Sequence, residues 1–394
     1  MLDPRLFFKM DKNNIEKYIL NTLSSVKWQK ISIRRRSGIL APLFSVYSKN
    51  SQGIGDLKDL ELLVDFCKNS SNTILQLLPM NEVGDNLCPY DAISSFAIEP
   101  MFISLLEIEN SKKIISKDKI NELRKKFPNN GEYVNYKIKE EKLKILQDVY
   151  LKLDAPLKKK EIITFVEENK YWIKDFALFK VLKKYNNSKA WYEWPDEFKD
   201  RDRVALKKFS EQKQGEIDFE IWLQYIIHRQ FKQTKQYANS RGIFLKGDLP
   251  VLVSRDSADV WCNREFFKLE FAAGAPPDMY CARGQRWGMP TYNWENIAKD
   301  KYNYLKEKLK FAQEFYDILR VDHVVGLFRI WSINYDEPQE NQGLKGFFDP
   351  EDENTWENHG KNILSAIVNN TSMLICAEDL GVIPKACPKK PFKP

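Results

Sequence analysis

The stretch Leu319-Arg320-Val321-Asp322-His323 decides how this chain is read. It is a short strand-like run that follows a helix-patterned segment, and residues two apart in a strand point to the same face. Arg320 and Asp322 therefore emerge together, and a neighbouring guanidinium favours the ionised carboxylate. An aspartate held charged at neutral pH can serve as a nucleophile. A second run, Met373-Leu374-Ile375-Cys376-Ala377-Glu378-Asp379-Leu380-Gly381, also ends on a pair of carboxylates, of which Asp379 is suited to cap a following helix.

Working outward, the same design recurs upstream. Ser37 to Leu43 reads as a buried strand, and Asp56 is a good N-cap for a helix carrying Leu57, Leu60, Leu63, Val64 and Cys67 at helical spacing. Ser70-Ser71-Asn72 stops that helix, and Thr73 to Pro79 is the next buried strand, so residues 38–79 form one βαβ unit. A third strand, Ile243 to Asp248, follows a helix that ends at the C-cap glycine Gly242, and it too carries an acid at its carboxyl end. Three or more βα units with acids at strand ends describe the active face of a (β/α)8 barrel.

Between the strands lie two different kinds of sequence. Residues 100–240 are lysine-rich and helix-patterned, with Leu143, Leu146, Tyr150 and Leu153 expected on one apolar stripe and Trp172, Phe176 and Phe179 on another; they read as a helical insertion. Residues 251–294 read as a long connection without regular structure, too aromatic to be disordered and so functional. The organisation expected is a lead-in with the first βα units over 1–99, the insertion over 100–240, further barrel units over 241–383 and an irregular tail over 384–394.

Composition sets the outer limits. A chain of 394 residues, 43% hydrophobic, can bury a large core, and no run approaches the roughly 18 apolar residues of a spanning helix. The N-terminus lacks the features of an export signal, so the cytoplasm is expected. Six scattered cysteines without C-x-x-C spacing and three histidines give no metal-ligand pattern. The net charge of +7 arises from lysines set beside glutamates on helix faces, which argues against nucleic acid as a partner. No membrane partner is expected, and the oligomeric state is left open.

The two strand ends at Asp322 and Glu378 are read as the working pair of a retaining glycosyl-transfer site, with Asp322 as nucleophile and Glu378 as acid/base. The residues around them resemble glycoside hydrolase family 77, the amylomaltases or 4-α-glucanotransferases. Besides Arg320-x-Asp322-His323 and Ala377-Glu378-Asp379-Leu380-Gly381, the ordered series includes Ser37-Gly38-Ile39-Leu40, Gly53-Ile54-Gly55-Asp56-Leu57, Gln76-Leu77-Leu78-Pro79, Pro89-Tyr90 and Gly247-Asp248-Leu249-Pro250. It continues with Ser257-Ala258-Asp259-Val260-Trp261, Pro276-Pro277-Asp278 and Gly284-Gln285-x-Trp287-Gly288. Phe176-Ala177-Leu178-Phe179 and Trp194-Pro195 extend it into the insertion.

The resemblance implies a barrel of the α-amylase superfamily type acting on malto-oligosaccharides or α-1,4-glucan, with no metal or organic cofactor. It implies that Asp322 forms a covalent glycosyl-enzyme, that Glu378 protonates the leaving oxygen, and that Arg320 orients Asp322. Tyr90, Asp248 and His323 would contact the sugar beside the bond that breaks. Tyr280 and Trp287 would lie over bound glucan while Asp278 and Gln285 contact its hydroxyls. Three departures stand out. Met279 replaces a common aromatic, Met289 replaces a common asparagine, and the family's further catalytic aspartate belongs to a strand later than any here. About five of eight strands are expected, with an inactive glucan-binding fragment as the alternative and poor solubility as a consequence of unpaired strand edges.

Overall fold

The computed structural model describes residues 12–109, 111–128, 133–378 and 380. They form two compact units. The first comprises Gly38–Ile243 with Asp256–Cys262; the second comprises the described residues of Met1–Ser37, Phe244–Arg255 and Asn263–Pro394. Asp379 and the tail at 384–394 lie outside the described residues.

In the first unit β1 (Gly38–Leu40) and β2 (Ile74–Gln76) pair in parallel, Gly38 opposite Ile74, with the helix Leu57–Asn69 between them in sequence. Both strands are shorter than their apolar runs. Pro42 and Pro79 close those runs, and a proline has no N–H with which to continue a ladder. The expected N-cap is present in reciprocal form: Asp56 Oδ1 accepts the N–H of Lys58 at 2.8 Å and of Asp59 at 3.2 Å, and Asp59 Oδ2 accepts that of Asp56 at 3.2 Å.

The helix Ile138–Leu151 buries Ile138, Lys142, Ile145, Leu146 and Val149, which corrects the stripe expected from Leu143, Leu146, Tyr150 and Leu153. The stripe was misplaced because its centre is a lysine. Lys142 is fully buried near Asp56 and Asp59; burial pushes its pKa down, and the two carboxylates oppose that shift. Burial likewise pushes Asp56 up to about 6, against the pull of Lys142.

The long helix Gln214–Ser240 organises the rest of this unit. Gln224 accepts from Ile98 N–H and donates to Ile98 O, both at 2.9 Å, and Gln230 does the same to Ser104 at 2.9 and 3.0 Å. Two side-chain amides thus replace the backbone partners that the loop before residue 105 lacks. Beneath that loop, the buried Glu82 lies 2.5 Å from Lys180 and 3.4 Å from Lys139, and the buried Glu99 lies 2.8 Å from Lys139. The expected aromatic stripe is buried: Trp172, Phe176 and Phe179 all lie in the core.

In the second unit the strands in chain order are β3 (Phe244–Leu249), β4 (Phe267–Lys268), β5 (Phe271–Ala275), β6 (Gln285–Arg286), β7 (Thr291–Tyr292), β8 (Ile318–Val321), β9 (Ile330–Asn334), β10 (Phe347–Asp349) and β11 (Leu374–Ala377). β8 is central to a parallel set, with β3 on one side and β11 on the other. Among the described residues five strands pair in parallel, two in the first unit and three in the second. The connection expected to lack structure is instead pleated: β4 pairs with β7, β5 with β6 and β9, and β9 with β10, all antiparallel. Alanine and glycine in β5 carry no hydrophobic alternation, so its pairing is invisible to a pattern reading.

One close approach sits directly behind the acids. A Cβ at Gly247 would lie 2.5 Å from Cδ2 of the buried Tyr316 ring. Gly247→Ala forces that ring aside, and urea unfolding is expected to show a loss of about 1–3 kcal/mol.

Candidate active site

The register of the parallel strands of the second unit brings the acids together. Asp248 of β3 and Cys376 of β11 both lie opposite Arg320 of β8, while Asp322 and Glu378 follow directly on the ends of β8 and β11. The ladder continues just past those ends, because Asp322 N–H donates to Leu249 O at 3.1 Å and Glu378 N–H to Val321 O at 3.0 Å. The directions in which both side chains leave the sheet are set by these two bonds.

Arg320 binds all three carboxylates. Its Nη1 donates to both oxygens of Asp248 at 2.6 Å, and its Nη2 donates to Glu378 Oε1 and lies 2.9 Å from Asp322 Oδ1. The Asp248 side chain is 1% exposed, against 16% for Glu378 and 23% for Asp322, so Asp248 is the anchor and the other two are the accessible acids. Burial works against the charge on Arg320, but Asp248 foremost and then Asp322 and Glu378 push its pKa well up.

For Asp322 the balance runs the other way. Burial and then the Glu378 charge push it up to about 6, and Arg320 offsets only part of this. An Arg-x-Asp pair in isolation implies a carboxylate held low. Here one guanidinium is divided among three acids, and the isolated pair is a poor guide.

His323 turns the chain. It has φ 41° and ψ 49°, and its backbone N–H donates to Glu378 Oε2 at 2.8 Å. Its imidazole meets the Trp287 ring edge to face, with centroids 4.9 Å apart. Burial pushes the His323 pKa down, with Glu378 opposing and Arg329 adding to the shift.

The remaining expected residues lie in three places. Gln285 belongs with the acids through Trp287, whose indole Nε1 donates to Gln285 Oε1 at 2.9 Å. Asp278 and Tyr280 sit at the exposed tip of the turn between β5 and β6, where Asp278 Oδ1 accepts the N–H of Tyr280 at 2.8 Å and of Cys281 at 2.7 Å. Tyr280 is 89% exposed. Tyr90 belongs to the first unit, half-buried in the turn that Asp91 N–H closes on Cys88 O. The anchoring of Arg320 by Asp248 escaped the sequence reading, although the shared position of both residues near strand ends was its signal. Among the described residues no group of three or more His, Cys, Asp or Glu side chains is placed to hold a metal ion.

The family described as 4-alpha-glucanotransferase, glycoside hydrolase family 77, matches residues 41–390. The chain belongs to this family. It is 36% identical over 382 residues to the 4-alpha-glucanotransferase of Chlamydia pneumoniae, covering 94% of this chain and 69% of that protein. It is 33% identical over 292 residues to that of Clostridium butyricum, covering 72% and 59%. Among solved structures, the amylomaltase from Streptococcus agalactiae in complex with acarbose superposes with a TM-score of 0.77 at 27% identity, covering 89% of this chain and 70% of that one. The amylomaltase from Corynebacterium glutamicum shares the fold at a TM-score of 0.75 and 23% identity, covering 93% and 50%.

The chain therefore has the α/β barrel-type fold of the amylomaltases. It spans about 69% of the length of the first of these relatives. Family members match most of its length, which does not favour the expectation of an inactive glucan-binding fragment.

An oxygen of Asp322 and an oxygen of Glu378 lie on the same atom, Arg320 Nη2, so the two carboxyls are close neighbours. A retaining displacement needs such a pair at roughly 5–5.5 Å, whereas an inverting one needs them further apart to admit water. The acid limb of kcat/KM on maltotriose is expected near pH 6. With Asp322 as the expected nucleophile, its protonation below that pH would prevent attack, so initial rates measured from pH 4.5 to 8 should fall about tenfold per unit on that side.

Proposed function

We propose that this chain transfers an α-1,4-glucan segment from one malto-oligosaccharide to another by a retaining double displacement. The observation that carries the reading is the convergence of Asp322 and Glu378 on one guanidinium nitrogen at the ends of neighbouring strands. In the first step an Asp322 oxygen bonds to the anomeric carbon while the glycosidic C–O bond breaks, and Glu378 gives its proton to the departing oxygen. In the second step Glu378 takes the proton of an acceptor sugar hydroxyl, whose oxygen displaces Asp322. Two inversions at one carbon leave its configuration retained.

Arg320 holds the nucleophile in place and neutralises charge on the carboxyl that is not reacting. Asp248 acts first on Arg320, to which both its oxygens are bound, and only through it on the sugar. His323 and Trp287, packed together beside Glu378, offer an imidazole and an indole face to the sugar next to the bond that breaks. Tyr280 and Asp278 reach glucan from the exposed turn, and Gln285 acts by orienting Trp287. Transfer outruns hydrolysis when an acceptor sugar fills the site and keeps water from the glycosyl-enzyme.

Incubation with maltotriose is expected to yield glucose together with longer oligomers, read by chromatography. Asp322→Asn should lower this rate by about 10³-fold or more, since it removes the group that forms the covalent bond. A wild-type chain that yields glucose without longer oligomers would be a hydrolase, and the transfer reading would be wrong.

A further inference from the structure

The acid/base carboxyl is held by a backbone N–H whose direction depends on a residue with no side chain. Glu378 Oε2 accepts from His323 N–H at 2.8 Å, and His323 presents that N–H from the left-handed region. For a residue other than glycine this conformation is unfavourable, so the surroundings must hold it. Trp287 does so from its contact with the imidazole at 4.9 Å. Gly326 does so twice. Its N–H donates to His323 O at 2.8 Å, closing the turn, and a Cβ on it would lie 2.7 Å from His323 Cδ2 and 3.4 Å from Nε2.

Gly326 is buried, and it is absent from the glycines with positive φ. Its backbone conformation is therefore open to other residues; what forbids a side chain is the imidazole. The ring is also in edge-to-face contact with the indole of Trp287, which limits the positions open to it. The groups that bear on Glu378 are Arg320 and Asp322 from β8 and its end, Asp248 behind Arg320, and the His323 N–H, with Arg329 acting on the His323 ring.

We propose that Gly326 is a positioning residue for Glu378, acting through His323: the empty space at 326 holds the imidazole, and the imidazole holds the N–H on Glu378 Oε2. The inference rests on Glu378 being the acid/base. A methyl group at 326 displaces the ring, turns the 323 peptide and loosens one of the two grips on the carboxyl, leaving the contact of Asp322 with Arg320 in place.

The test is Gly326→Ala in the full chain with two donors, maltotriose and α-maltosyl fluoride. Fluoride departs as an anion, so the Asp322 oxygen bonds to carbon as the C–F bond breaks and no proton is required of Glu378. On maltotriose kcat should fall about 10- to 100-fold with KM changed less than about threefold. First-turnover release of fluoride should show only the loss that comes from the displaced His323 ring at the sugar, at least about fivefold smaller than the loss on maltotriose. In a His323→Ala background the same substitution should add less than about a twofold loss, because no ring remains to be displaced.

Equal losses on both donors, or the same loss in both backgrounds, would overturn the proposal while leaving the transfer reading intact. If the single variant does not fold, the double variant should fold and match His323→Ala, and a double variant that is also unfolded counts against it. A wild-type chain that processes neither donor removes the transfer reading, and this one with it.

Discussion

The guanidinium of Arg320 is the point on which the second unit's chemistry depends. Three carboxylates from three consecutive parallel strands converge on it, two through the same nitrogen. Without a central cation, three acids in a partly buried space would repel one another, and burial would drive them toward the neutral form. With it they are held as a set. The cation is itself secured by the least exposed of the three, Asp248, leaving the two more accessible acids free to differ in role.

This arrangement follows from register more than from any single residue. Arg320 lies opposite Asp248 in one strand pair and opposite Cys376 in the other, so a slip of one residue on either side would carry an acid to the far face. The glycine preceding Asp248 serves the same end, for it lets the Tyr316 ring lie flat against β3 directly behind the site. Trp287, directly after β6, meets the imidazole of His323, and so joins the antiparallel sheet to the ends of the parallel strands within one unit.

Much of this was legible in the amino-acid order. All five parallel strands were foreseen from apolar runs that end in acids or prolines, and the Asp56 cap from its position before a periodic helix. Strand lengths were overread, because the apolar runs continue to Pro42 and Pro79 while the strands end at Leu40 and Gln76. The buried Lys142 shifted a helix stripe, since a lysine reads as polar while its stem packs as hydrocarbon. Short antiparallel strands in the 251–294 segment were missed because two-residue pairings leave no period to detect. At the site, residue types and strand ends were visible in the sequence. The division of one cation among three anions was not, because it is a property of distances across strands, and it reverses the direction expected for Asp322.

The lattice that the buried Glu82 and Glu99 form with the half-buried Lys139 and Lys180 in the first unit bears on how that unit meets its solvent. Dissolved ions weaken attraction between charges they can surround, over a Debye length of about 8 Å at physiological strength, and they reach exposed pairs such as Lys170 with Glu167 far more readily than a carboxylate that is 1% exposed. As electrolyte is added, the outer pairs along the helices fade first while the inner lattice keeps its hold on the loop above it. That loop carries Tyr90, so brine reaches its footing last.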